Sequence, residues 1–470
     1  MTETSVLLLL TMLGSGRVWN PDWMDGYRLT AAKGPYFLCD ERVVEDRWRI
    51  ERFVAPLDRH PANPLIVRDR PWEGTGPHMG GSVLYDERDG VFRMWYTVWD
   101  SHAYYNALPF SYNVCYAESD DGIAWRKPSL GVFEYEGSTD NNCIRLGTDK
   151  TQNIDVMWNP KPEVFPGRLL AIHNQKGGVF VSSSDDGKTF TPLWPEHPAI
   201  SHHSDTHNNL VYDEVGDYWL LFCRPRAWAG DHRRRVSVQL SRDLKHWTHE
   251  RTILVPSEAG APEFYGMTVF RRGDLFFGAL QLYDRESQTL RPTLAWSGDG
   301  LRWDLLPGQD LLLPLGKPSA WDAGMVLLAE TPVVLGDTMY FYYGGFALGH
   351  DTPSENVGAI GLATAGRDRL IGVRPISNEP GTIITRPFAP DGRRLVVNAL
   401  VQGEIRAEVR IGNNKPVDGW TFDDSDPLAA SGYESELTWG GKSLGAIKET
   451  EIRVIFRLTD AELFTFDLMR

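Results

Sequence analysis

Cysteine is scarce. The chain of 470 residues has 4, at Cys39, Cys115, Cys143 and Cys223. None stand in C-x-x-C spacing, which argues against a zinc ribbon or a dithiol redox motif, and four in a chain this long make no disulfide framework. They read as buried thiols. Positive charge is also short, with 48 Lys and Arg against 63 Asp and Glu, for a net charge of −15. A nucleic-acid surface needs clustered cations, so no nucleic-acid partner is expected. Polyanionic substrates are disfavoured on the same ground, leaving room only for a local basic pocket. No apolar run is long enough to cross a bilayer, and no membrane partner is expected. The longest run, residues 6–13, has the size of a signal core, but Thr2, Glu3, Thr4 and Ser5 before it lack the basic charge of such a signal. It reads as a docked strand or helix. The expected location is cytoplasmic, with secretion or periplasmic export left open. P-loop, dinucleotide-binding glycine and H-E-x-x-H motifs are missing, and without G-x-S-x-G there is no nucleophile elbow.

What is abundant points to β-structure. Aromatics make up 11% of the chain, with 17 Trp, and there are 45 Gly and 30 Pro. Many aromatics among many turn formers favour an all-β protein, and Trp-lined clefts suit the flat apolar faces of sugar rings. Hydrophobic residues at 42% and charged residues at 24% are ordinary for a soluble globular chain. The length predicts two or three domains.

A short motif, Ser-x-Asp-(Gly or Leu)-x-x-(Trp or Phe), recurs along the chain. It stands at Ser119-Asp121-Gly122-Trp125, Ser184-Asp186-Gly187-Phe190, Ser241-Asp243-Leu244-Trp247 and Ser297-Asp299-Gly300-Trp303, with a degenerate fifth copy near Thr364 and Asp368. Each copy follows a strand-like run, and two further apolar runs separated by Gly and Asp turn residues precede it. Five units of strand, turn, strand, loop, strand, turn, strand read as a five-bladed β-propeller. The serine and aspartate are expected to bond backbone amides in the turn between third and fourth strands, and the aromatic to pack between blades. After the fifth unit the motif stops. Residues 395–399, 405–411, 436–439 and 452–458 look like strands of a small C-terminal β-sandwich. The expected fold is thus all-β, a five-bladed propeller followed by a small C-terminal β-sandwich. The expected domains are an N-terminal arm over 1–55, the propeller over 56–378 and the sandwich over 385–470.

In a propeller the residues just before each first strand converge at one end of the central channel, a concave place for a small ligand. Aligning the five first strands on their apolar runs puts His78, Thr151, Asp205, Glu263 and Leu328 at one level. Gly80, Asn153, His207, Tyr265 and Glu330 share the next, and Ser82, Asp155, Asn209, Met267 and Pro332 the one after. Acidic groups from different blades suit glycoside hydrolysis, in which one carboxyl protonates the leaving oxygen while another attacks or activates water. The catalytic candidates are Asp205, Glu263, Asp322 and Glu330. The substrate-binding candidates are His78, Asp155, His207, Asn208, Tyr265 and Trp321. Each could instead be a satisfied structural group. The apolar neighbours Pro262, Phe264 and Tyr265 favour a raised pKa, hence the acid role, for Glu263. Asp205, among Ser204, Thr206, His207 and Asn208, is expected to stay ionised as nucleophile or base, and to face Glu263 across the channel mouth.

These features resemble the five-bladed propeller glycosidases of families 32, 43, 62, 68 and 130. His60-Pro61-x-Asn63-Pro64-Leu65 is similar to the segment that leads into the first blade in that group. Tyr116-Ala117-Glu118-Ser119-Asp120-Asp121-Gly122-Ile123-x-Trp125-x-Lys127-Pro128-x-Leu130-Gly131 looks like uncharacterised bacterial family-32-like members, as do Gly137-Ser138-x-Asp140-Asn141-Asn142 and Ser204-Asp205-Thr206. The resemblance covers about residues 40 to 470. It implies a glycoside hydrolase with an oligosaccharide or glycoside substrate, acting on arabino-, fructo- or galactofuranosides; a closed channel mouth with one deep end adds the expectation of action from chain ends. Family 32 carries Trp-Met-Asn-Asp-Pro-Asn-Gly on its first blade, where this chain has Gly76-Pro77-His78-Met79-Gly80-Gly81-Ser82. The chain also lacks Arg-Asp-Pro and Glu-Cys-Pro, so that family's catalytic set does not carry over. Three other readings remain: a carbohydrate-binding propeller without catalysis, a protein-interaction scaffold, and a glycoside phosphorylase. The last needs basic residues near the carboxylates; Arg224 and Arg226 are at hand but are expected at the far end of their strand. No cofactor is called for. A structural calcium ion in the channel stays open without a ligand set to name, as does the oligomeric state.

Overall fold

The computed structural model describes residues 29, 33–147, 151–202, 204–228, 230–256, 261–306, 308, 310–352, 356–412 and 414–470. The apolar run over 6–13 lies outside them. The repeats fold as five antiparallel units. Blade one has strands Pro77–Asp86, Val91–Trp99 and Tyr112–Ser119, and blade two Gln152–Trp158, Leu169–Gln175, Gly178–Ser184 and Thr189–Pro192. Blade three has Asn209–Asp213, Tyr218–Cys223, Val236–Ser241 and Arg251–Leu254, and blade four Glu263–Arg272, Leu275–Asp284, Thr289–Ser297 and Asp304–Leu305. In blade five the inner edge is Met325–Leu328 with Val333–Leu335, followed by Thr338–Phe346 and Gly358–Gly366. Its outermost strand, Asp58–Arg59, comes from ahead of blade one and pairs with Ala363 and Thr364, which closes the ring.

Alternation along the strands explains the stacking, because successive side chains point to opposite faces. On Val91–Trp99, Phe92, Met94 and Tyr96 pack against Tyr342, Ile360 and Leu362 of blade five, while Trp95 packs against Ile154, Val156 and Leu169 of blade two. The same arrangement joins blade two to three through Ile172 and Leu221, three to four through Phe222 and Phe276, and four to five through Phe277 and Phe341.

The repeated motif closes the turn after each third strand. Ser119 Oγ donates to Asp121 Oδ1 at 2.9 Å and accepts from Gly122 N, and Asp121 Oδ1 accepts from Ile123 N and Ala124 N at 2.8 Å. Ser184/Asp186, Ser241/Asp243 and Ser297/Asp299 repeat that pattern. Trp125 meets Tyr342 of blade five edge-on, and Trp303 meets Phe222 of blade three. Gly122 has φ +76°, and a Cβ there would come within 2.6 Å of Tyr342 Oη, so a small residue free to adopt positive φ is required. The degenerate fifth copy differs: Asp368 takes the Arg272 guanidinium, and the chain leaves the propeller.

Residues 371 onward, joined by three strands of the arm, form the C-terminal sandwich, a nine-stranded sheet curled on itself. Two long strands, Arg394–Ile411 and Arg453–Met469, run through both layers, and register shifts at Asn398/Ala399 and Val401/Glu404 accompany the bend. Residues 395–399 and 405–411 are therefore one strand. Leu395, Val397, Val409, Trp439, Phe456 and Phe466 fill the interior. The pairing extends this unit beyond the expected 385–470: Ile371–Pro375 and Gly381–Thr385 belong to its sheet, as do Tyr36–Phe37, Val44–Trp48 and Ile50–Val54 of the arm. The arm also contacts the propeller. Phe37 packs on Phe277, and Arg42 Nη2 donates to the Asp274 carbonyl at 2.9 Å.

Candidate active site at the channel mouth

The inner strands are tied together by a buried polar ring. Ser82 Oγ of blade one donates to Asp155 Oδ1 of blade two at 3.1 Å. Asp155 Oδ2 accepts from Leu210 N and Asn209 Nδ2 of blade three at 2.8 and 3.1 Å, and Asn209 Oδ1 accepts from Val269 N of blade four at 2.8 Å. Glu330 N, on blade five, donates to the Gly81 carbonyl of blade one at 3.2 Å. Ser82, Asp155 and Asn209 came from one level of the strand alignment, so the register read from the apolar runs holds in three dimensions. This ring forms the floor of the channel.

One level higher, His207 Nδ1 and Glu330 Oε1 lie 2.8 Å apart, linking blades three and five. Both side chains are buried. Burial pushes the Glu330 carboxyl well above its ordinary range and His207 down to about 4. The pair therefore holds one proton between neutral partners. Burial likewise raises the Asp155 carboxyl, and the nearby Glu330 carboxyl adds to that. His78, half-buried on blade one, is lowered to about 4, by burial first and by His207 second.

At the mouth stands Asp205, half-buried in the loop before Asn209–Asp213. Among the described residues no side chain bonds its carboxylate, and it borders a cleft of about 410 Å³ with Asn174, Gln175, His202 and Ser204. Its charge is felt by His78, Tyr112 and Tyr265, which places all three around it. The loop is held from behind by Asn208, whose amide donates to Asn174 Oδ1 and to the Ser204 and Thr206 carbonyls. Asn208 is fully buried and shapes the loop. Tyr265 is half-buried, with its Oη 3.0 Å from His350 Nε2.

Two expected residues are engaged with neighbours in blade five. Asp322 accepts from Arg59 Nε at 2.7 Å and Tyr343 Oη at 3.1 Å, within blade five. Trp321 stacks on Tyr343 at 5.3 Å and fills the space over Gly345 and Gly361. Glu263 lies at the same end of the propeller as Asp205, but cations surround it. Arg234 donates to Glu263 Oε2 from both its amide and its guanidinium at 3.1 Å, and Arg285 Nε donates to Oε1 at 2.6 Å. Burial raises its pKa, but those bonds outweigh burial and hold the carboxyl below its ordinary range. The raised value expected from Pro262, Phe264 and Tyr265 is thus reversed, because the partners are arginines 29 and 22 residues away in sequence. A depressed carboxyl stabilises the fold above its unfolded pKa and loses that contribution as pH falls through its folded value. Glu263→Gln is therefore expected to cost about 2 kcal/mol at pH 7 and progressively less below about pH 4. Urea denaturation of both proteins across that range is the check.

Several mouth residues gave no motif. Trp99 and Tyr112 stack at 6.4 Å, and the short helix Ser101–Tyr105 carries Tyr104 and Tyr105 beside them, 50% and 63% exposed. Arg224 is also here. Asn209 pairs with Phe222, so the end of the second strand lies next to the start of the first, and Arg224 stands at the mouth and not at the far end. Antiparallel pairing was the signal that could have found all of these.

No family model and no curated protein matches the chain. Solved structures similar to it include an N-acetylgalactosamine deacetylase from F. plautii in complex with blood group B trisaccharide. That one is 15% identical, covering 67% of this chain and 97% of the other, with a TM-score of 0.46. An α-L-arabinofuranosidase from Podospora anserina in complex with cellotriose is 11% identical over 64% of this chain and 95% of its own, TM-score 0.45. A putative glycoside hydrolase from Bacteroides ovatus is 13% identical over 66% and 97%, TM-score 0.45. What each of those proteins binds or cleaves is a property of that protein.

Proposed function

We propose that the protein is a glycoside hydrolase that removes sugars from chain ends, with Asp205 as the attacking or water-activating carboxylate and Glu330, through His207, as the source of the proton. One observation carries this reading. Asp205, whose carboxylate no described side chain bonds, and His207, 2.8 Å from the buried Glu330 carboxyl, both act on His78, and an ionised carboxylate near a carboxyl held protonated is the division of roles that acid–base cleavage of a glycoside requires. His207 turns Nδ1 to Glu330, so Nε2 can hand its proton to the leaving oxygen while Nδ1 takes the Glu330 proton, and the proton released by the attacking water restores the pair along the same path. The buried ring of Ser82, Asp155 and Asn209 ties the inner strands together below His207 and Glu330, which supports a terminal sugar over the middle of a chain. Tyr104, Tyr105 and Tyr112 offer aromatic faces for the rest of the substrate. Furanosides are the preferred ring type, following the resemblance to families that act largely on them.

The test is a hydrolysis screen of aryl furanosides and pyranosides, with thin-layer analysis of natural oligosaccharides. Release of single terminal sugars, with aryl furanosides turned over fastest, is expected. Binding of the same sugars without turnover would favour the non-catalytic carbohydrate-binding reading, and products from mid-chain cleavage would overturn chain-end action.

A further inference from the structure

Arg224 is 8% exposed, yet it has no ion-pair partner among the described residues. Its Nη2 donates to the Tyr265 carbonyl at a long 3.3 Å, its guanidinium carbon lies 4.9 Å from the Tyr265 ring centre, and its Nε is buried without an acceptor. A guanidinium has five donors and no acceptor capacity, and among the described residues the buried Nε of this one finds no acceptor. Burying a cation in that state is costly unless an anion completes the site. The neighbouring arginine is already committed, because Arg234, its guanidinium carbon 5.1 Å from the Tyr265 ring centre, is bonded to Glu263. The backbone around Arg224 is fixed: its N–H donates to Ser204 Oγ at 3.1 Å, and its carbonyl lies 2.9 Å from His202 Nε2. The loop that carries Asp205 therefore also sets the cation, and both groups reach Tyr265.

We propose that Arg224 selects a substrate bearing an oxyanion, a carboxylate on an acidic sugar unit placed in the cleaved position or next to it. A planar carboxylate matches the fork of the guanidinium with two parallel bonds. One uncommitted cation balances one negative charge, whereas a phosphate dianion beside Asp205 would leave an excess. The proposal rests on the glycoside reading for what the site does, but its binding arm does not depend on turnover.

Calorimetry on the full chain would compare glucuronate and galacturonate with glucose and galactose, and with inorganic phosphate alone. The uronates are expected to bind about tenfold to a hundredfold more tightly than their neutral counterparts. Arg224→Gln is expected to abolish that difference and Arg224→Lys to keep part of it, with circular dichroism showing that each variant is folded. Should Arg224→Gln fail to fold, the Arg224→Lys affinities and a fall in uronate affinity with rising salt carry the same test. Equal affinity for acidic and neutral sugars, or binding of phosphate without binding of uronates, overturns the proposal. Uronate binding that depends on Arg224, in a protein that hydrolyses no glycoside, would uphold the anion site and overturn the hydrolase reading.

Discussion

Asp205→Asn is expected to reduce kcat/KM by about 10³-fold or more on nitrophenyl and natural glycosides alike, without lowering the melting temperature. Attack or water activation is needed whatever group departs, so an activated leaving group gives no rescue. Stability should hold because no described residue relies on this carboxylate as an acceptor; the loop around it is held by Asn208 and Ser204. Kinetics on the two substrates together with thermal denaturation test both parts. A variant that lost only the natural substrate would behave as one lacking its proton donor, and full activity would remove Asp205 from the mechanism.

Asp155→Ala is expected to have the opposite character, with a loss of about 4 kcal/mol in stability. Its two oxygens accept from Ser82, Asn209 and Leu210, so truncation leaves buried donors from blades one and three without acceptors at the place where three blades meet. The pH dependence is also determined. Burial raises this carboxyl, so the folded protein retains a proton that the unfolded chain releases. The contribution of Asp155 is therefore fullest in acid and declines as pH rises above about 4, the unfolded value. Urea denaturation at pH 5 and pH 7.5 is expected to show the larger difference between wild type and variant at pH 5. A difference that grew with pH would mean that the carboxyl is ionised in the folded state.

The repeat was legible because its turn is built from local bonds: Ser119, Asp121 and Gly122 satisfy one another within a few residues, and four copies do so alike. The stacking of polar levels in the channel could be read as well, since the inner strands carry apolar runs that fix their register. What could not be read from nearby residues was charge compensation over distance. Glu263 looked like a carboxyl in apolar company, but Arg234 and Arg285 arrive from other strands. Asp322, too, is paired over distance, by Arg59 across blade five. Arg224 stands at the mouth because the hairpin reverses direction and brings the end of the second strand beside the start of the first, which distance along the chain does not reveal.

Strand pairing between early and late residues sets a schedule for the molecule. Tyr36 lies opposite Phe466, and Ile50–Val54 lies along Ile371–Pro375. During vectorial synthesis the first of these edges must wait for more than four hundred residues to emerge before its partner exists, and unpaired edges held that long invite association with other chains. Blade five waits less, since Asp58–Arg59 meets Ala363 and Thr364 soon after the last blade is made. The ring can therefore close before the C-terminal sheet is finished, and within the arm Tyr36–Phe37 finds its partner after Ile50–Val54 does.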